Sequence, residues 1–117
     1  EAPVESLSRG QAYKVALIAL LLIDPELWLL DEPLASGMDP QGISLFRAEA
    51  RNAAARGRTI LFTTQVLEAA ERFADHVCIL HHGELRVFDT VRNLRDRVTD
   101  TGDGILASVI ANLHETR

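Results

Sequence analysis

Two adjacent carboxylates, Asp31 and Glu32, close the apolar run Leu27-Trp28-Leu29-Leu30 and are followed at once by Pro33. At the end of a buried strand that is a poor place for charge. Taking carboxylates out of water costs on the order of several kcal/mol unless a cation or hydrogen bonds offset it. A metal ion carrying phosphate would supply that compensation. In open parallel sheets ligands gather at the carboxyl ends of strands, and the same rule nominates Gln65, which follows the β-branched, aromatic stretch 59–64. A further candidate stands near the N-terminus, where Ser8, Gly10 and Gln11 open a helical pattern. A glycine-bearing helix N-terminus offers free N–H groups and a partial positive charge to phosphate. Taken singly, each feature has a plainer reading: a turn or cap carboxylate for Asp31-Glu32, and a capped helix for Ser8 to Gln11.

Other reactive residue types carry less. His81 and His82 stand beside Gly83 between two strand-like stretches and read as turn residues; His76 and His114 have no partners at ligand spacing. Cys78 lies in an apolar strand and is expected in the core. Arg47 and Arg51, four apart with Glu49 between them, read as a solvated helix face.

The elements that must position these residues follow from periodicity. Val15, Leu17, Ile18, Leu21 and Leu22 recur at helical spacing after Ser8, with Ser8 and Gln11 as a capping box and Asp24-Pro25 as the stop. Residues 27–30, apolar on both faces and too short for a helix, predict a buried parallel strand. Asp39-Pro40 opens a second helix through Ile43, Leu45, Phe46 and Ala50, and Gly57 ends it. Residues 59–64 predict a second strand, and 66–74 a short helix with Glu68 and Arg72 paired four apart. Strands at 76–81 and 85–88 flank the turn at Gly83. Asp89 or Thr90 caps a helix through Val98, and after a polar loop Ile105, Leu106, Val109, Ile110 and Leu113 form an apolar stripe. Strands alternating with helices predict an α/β architecture with right-handed crossovers.

Composition narrows the function. At 117 residues, 47% apolar and 25% charged, the chain has the size of one domain and enough core to fold. Its longest apolar run, 15–23, falls short of the roughly 20 residues a spanning helix needs. One cysteine excludes a disulfide scaffold and a multi-cysteine metal site and fits a reducing compartment; no leader pattern marks the chain for secretion. A net charge of −5 argues against a nucleic-acid surface. Lys14 is the only lysine and follows Tyr13, so the phosphate-cradling pattern Gly-x-x-x-x-Gly-Lys-Ser/Thr is not present.

Four stretches, in order, carry a family resemblance. Leu7-Ser8-Arg9-Gly10-Gln11 resembles the signature motif of the ATP-binding-cassette (ABC) ATPases, and Leu27-Trp28-Leu29-Leu30-Asp31-Glu32-Pro33 resembles their Walker B strand with its catalytic glutamate. Ser36-Gly37-Met38-Asp39-Pro40 is similar to the D-loop, and Thr63-Thr64-Gln65 occupies the switch position. The resemblance implies a partial P-loop NTPase fold of ABC type, a three-layer α/β sandwich with a mainly parallel sheet whose N-terminal half is missing. Residues 1–98 would be the C-terminal part of the nucleotide-binding domain, and 99–117 a loop and amphipathic helix.

By the same resemblance Asp31 would hold the Mg²⁺ of Mg-ATP through water, Glu32 would activate the attacking water, and Gln65 would contact the γ-phosphate. Ser8, Arg9, Gly10 and Gln11 would serve the nucleotide of a partner subunit, and the D-loop residues Ser36, Gly37 and Asp39 would communicate across a dimer. The implied function is the ATP-hydrolysing subunit of a bacterial-type ABC transporter, with a transmembrane permease and a second ATPase subunit as partners, and no nucleic acid. Its place would be cytoplasmic, peripheral on the inner face of the membrane. Rival readings are a soluble ABC ATPase acting on ribosomes or DNA, and a non-catalytic interaction domain. Three departures stand out: Arg9 where the signature often has glycine, one extra residue before the D-loop, and Gln65 in place of the usual histidine. Without the lysine loop, the segment alone is expected to be inactive, and its apolar run 27–30 to seek cover from another chain.

Overall fold

The structure, a computed structural model, describes residues 9–34, 39–98 and 104–115. The chain divides into two compact units, Glu1–Gln65 and Val66–Arg117. The first holds α1 (Arg9–Ile23), β1 (Leu27–Asp31), α2 (Pro40–Ala55) and β2 (Thr59–Thr63); the second holds α3 (Leu67–Phe73), β3 (His76–His81), β4 (Glu84–Thr90), α4 (Val91–Arg97) and α5 (Ile105–Glu115).

In the first unit β1 and β2 pair in parallel, with Leu27 opposite Thr59 and Asp31 opposite Thr63. Helix α2 makes the crossover, and its ends are set by sequence. Asp39 caps it, accepting from the Gly42 N–H at 2.6 Å, and Pro40 takes the first helical position, where its missing donor costs nothing. At the other end Gly57 adopts φ 93°, its N–H bonds the Ala54 carbonyl at 2.9 Å, and the Arg58 N–H reaches back to Ala53 at 3.0 Å. That reciprocal pair is a Schellman closure, which needs a residue without a Cβ penalty at Gly57. Trp28 is wholly buried at 0% exposure and forms the core with Leu17, Leu34, Phe46 and Ala53. Phe46 meets Phe62 edge to face, with 6.4 Å between ring centroids.

Strand β1 was expected to be covered on both faces, and here the structure differs. Leu27 is 49% and Leu29 66% exposed, as is Leu61 at 54% beside Leu29 across the pair. Side chains alternate along a strand, so Trp28 and Leu30 turn toward the helices while Leu27 and Leu29 share a face that no described element covers. On α1, Val15, Ile18 and Leu22 are likewise exposed.

The second unit is built on an antiparallel hairpin. His82 and Gly83 both have positive φ, 52° and 76°, the pattern of a two-residue type I′ turn that matches strand twist. A register shift between Ile79 and Leu80 leaves Arg86 as the extra residue of a bulge on β4. The inner face of the hairpin packs Val77 against Val91, Leu94, Ile105 and Leu106, so α5 is part of this core. Cys78, expected to be buried, is exposed instead. It lies opposite Phe88 on the outer face, because Val77 and Ile79 take the inner one. Two devices fix the helices: the Thr90 hydroxyl accepts from the Asn93 N–H at 3.0 Å, and the Glu71 carboxylate accepts from the Leu106 N–H at 2.6 Å, closing the start of α5. Among the described residues no helix is long and apolar enough to cross a membrane.

Candidate active site

Parallel pairing brings the carboxyl ends of β1 and β2 level, and the candidate residues meet there. The Thr63 hydroxyl, opposite Asp31 in register, donates a hydrogen bond to the Asp31 carboxylate. One residue on, the Glu32 N–H donates to the Thr63 carbonyl at 3.0 Å and lies 3.2 Å from its hydroxyl. Glu32 leaves the strand with φ 48°, in the left-handed region. Its carboxylate meets the segment after β2: the Thr64 hydroxyl donates to Oε2 at 3.2 Å and the Gln65 N–H to Oε1 at 2.7 Å. Each oxygen of Glu32 therefore has its own donor, which orients the group while leaving it half-buried. Asp31 is exposed, as is Gln65, and the Gln65 backbone is in direct contact with Glu32.

Tyr13 joins this cluster from α1, its hydroxyl donating to the Glu32 carbonyl at 3.0 Å. Thr63 is singled out in the sequence only as part of the switch-position stretch, without its bond to Asp31, and Tyr13 is given no role there. Thr63 could have been found from the parallel register, since a strand ending at Asp31 needs a neighbour for its last carboxylate. No linear signal points to Tyr13.

The other candidates lie elsewhere. Asp39 is engaged at the head of α2, and its carboxyl is held below the usual range first by the Gly42 N–H and then by Lys14, whose ammonium is 3.6 Å away. Gly10 is buried in the first turn of α1, with Arg9 before it and Gln11 exposed after it. Ser8, Ser36 and Gly37 lie outside the described residues. Among the described residues no group of three or more His, Cys, Asp or Glu gathers as a metal cage. An exposed carboxylate such as Asp31 suits Mg²⁺ nonetheless, because that ion keeps several waters and binds through one or two carboxylates plus phosphate oxygens.

No family model matches the chain. Over 83 residues, 71% of its length, it is 42% identical to the Nod factor export ATP-binding protein I of Rhizobium meliloti (strain 1021), of which it covers 24%. The chain thus spans about a quarter of the length of the curated relatives it matches. A solved ATP-binding subunit of an ABC transporter superposes with TM-score 0.74 and 32% identity over 80% of this chain and 39% of that one. So does cbiO1 from Clostridium perfringens, part of the ABC transporter complex cbiONQ, with TM-score 0.64 and 27% identity over 82% of this chain and 38% of that one. With the ordered motifs, the parallel β1–β2 pair and these likenesses in agreement, the chain belongs to the ATP-binding-cassette ATPases, the family of ABC transporter ATP-binding subunits.

Proposed function

We propose that this chain is the C-terminal part of the nucleotide-binding domain of an ABC transporter subunit and carries the hydrolytic carboxylate of its ATP site. The observation that supports this best is the meeting of Asp31, Glu32 and the Gln65 backbone at the ends of two parallel strands. Glu32 is the general base: its carboxylate accepts a proton from the attacking water, a role that geometry decides before pKa does. Asp31 would hold the Mg²⁺ of Mg-ATP, and the ion would supply charge neutralisation at the phosphates. The Gln65 amide donates to phosphate, and Ser8, Arg9, Gly10 and Gln11 face the nucleotide of a second ATPase subunit. Ser36, Gly37 and Asp39 link the two sites.

Glutamine at position 65 cannot titrate, so the switch acts through hydrogen bonding alone. The missing lysine loop comes from residues that precede this segment in the whole protein. A membrane permease is the remaining partner, with the subunit on the cytoplasmic face, and export, the direction in the relatives' name, is the direction we extend to this chain. The test is Glu32→Gln in the complete subunit. Turnover should fall at least a hundredfold, the lower range for a positioned base, while ATP still binds. Turnover within about threefold of the parent would remove Glu32 from the role.

A further inference from the structure

Glu32 is held in a backbone conformation that its own sequence opposes. Its φ of 48° lies where residues with a Cβ are disfavoured. The next residue is Pro33, whose ring drives the preceding residue toward extended backbone. A conformation opposed twice persists only where its surroundings enforce it, and such positions cluster at working sites. On the N–H side the enforcement comes from β2, through the Thr63 carbonyl and hydroxyl. On the other side stands a peptide with no N–H, because residue 33 is proline, so the Glu32 carbonyl is its single polar handle. That handle is taken by the Tyr13 hydroxyl, 3.0 Å away and nineteen residues earlier in the chain. The tyrosine is itself fixed: it is half-buried, and its side chain lines a small apolar cleft with Leu17, Leu30 and Phe46.

We propose that Tyr13 is a positioning residue for Glu32. Its hydroxyl clamps the carbonyl of the left-handed turn, so that the carboxylate stays directed at residues 64 and 65. It also ties α1, the helix opened by Arg9 and Gly10, to the catalytic strand end. The inference rests on the reading of Glu32 as the base.

Tyr13→Phe in the complete ATPase subunit tests it, since the phenyl ring keeps the cleft filled and only the hydroxyl is lost. The expected result is a roughly three- to tenfold fall in kcat, the span of one net hydrogen bond. The KM for ATP and the affinity for ATP measured in the absence of turnover should not change. In the Glu32→Gln background, Tyr13→Phe should cause no further fall in the residual turnover followed over hours, because residues acting as one unit are not additive. If Glu32→Gln abolishes turnover but Tyr13→Phe leaves kcat unchanged, the positioning role is overturned and the base is not. A rise in KM without a loss in kcat would reassign the hydroxyl to nucleotide binding and equally overturn it. Unchanged turnover in Glu32→Gln would instead overturn the reading of the base, and this inference with it.

Discussion

Arg58 grips both carboxylate oxygens of Asp24 with one edge of its guanidinium: Nε lies 3.1 Å from Oδ1 and Nη2 2.8 Å from Oδ2. Arg56 adds a third contact at 3.1 Å. The clamp joins the residue that ends α1 to the residue that precedes β2, and the neighbouring Thr59 N–H bonds the Glu26 carbonyl at 3.0 Å. The two parallel strands therefore start from one fixed point, which is what brings their far ends level at Asp31 and Thr63.

The clamp predicts an acid limb of stability. Hydrogen bonds from Arg58 and then Arg56 lower the Asp24 carboxyl from 3.8 to about 2. Between those values the unfolded chain binds a proton that the folded chain refuses, so stability rises with pH there. The contribution is complete above about pH 4 and is lost as pH falls toward 2. Asp24→Asn should flatten this limb, and urea midpoints measured at pH 2.5 and pH 6 should lie closer together than in the parent. An unchanged spacing of the two midpoints would show that the clamp does not carry it.

Glu71→Ala should loosen the last helix. Its carboxylate is the acceptor for the Leu106 N–H at 2.6 Å, and a lost cap costs about 1 kcal/mol. Gly104→Ala attacks the same joint from the other side: Gly104 has φ 99°, and an added Cβ would lie 3.1 Å from the Glu71 Oε1. Both variants should speed amide exchange across Ile105–Glu115 while leaving the exchange of Trp28 and Leu30 as it was. Uniform acceleration in both units would argue against a local cap.

The open face of the first unit predicts association of the isolated 117-residue chain. Leu27, Leu29 and Leu61 form a contiguous exposed apolar strip on a two-stranded sheet, a surface that invites pairing with another chain. Light scattering should report a species larger than a monomer, and replacing Leu29 and Leu61 together by lysine should shift it toward the monomer. A monodisperse parent monomer at about 100 μM, well within the range where exposed strands aggregate, would refute the expectation.

In the complete subunit, Gln65→Ala should lower turnover by roughly tenfold to a thousandfold, as when a phosphate-directed donor is lost. The backbone N–H that holds Glu32 survives this substitution, so the loss reads the side chain alone. Gln65→His should be at least as active as the parent. Steady-state phosphate release measures both, and an alanine variant with parental turnover would make the side chain idle.

Most elements were legible because their punctuation is local. Asp39-Pro40 and Gly57 bound α2, Asp24-Pro25 ends α1, and His82-Gly83 supplies the hairpin turn, each through backbone preferences that act within a few residues. The carboxylates were legible for the same reason, standing at a strand end before a proline. What escaped was set by packing at long range. The roll of α1 brings Tyr13 to Glu32, and the register of β1 on β2 gives Thr63 to Asp31. Apolar runs mislead in a related way: hydrophobicity alone placed Cys78 and Leu29 inside, whereas alternation on half-covered sheets turns both outward.

The two strand pairs also differ in how far the chain must travel to form them. In the hairpin, Glu84 pairs with a strand that ended three residues earlier, while Asp31 and Thr63 are thirty-two residues apart with α2 between them. Closing the longer loop costs entropy before any contact repays it, whereas hairpins close in roughly 1–10 μs. On a refolding chain the antiparallel ribbon should therefore exist before the ends of β1 and β2 become level. Asp31 and Glu32 thus meet their donors on the neighbouring strand only after the crossover has closed.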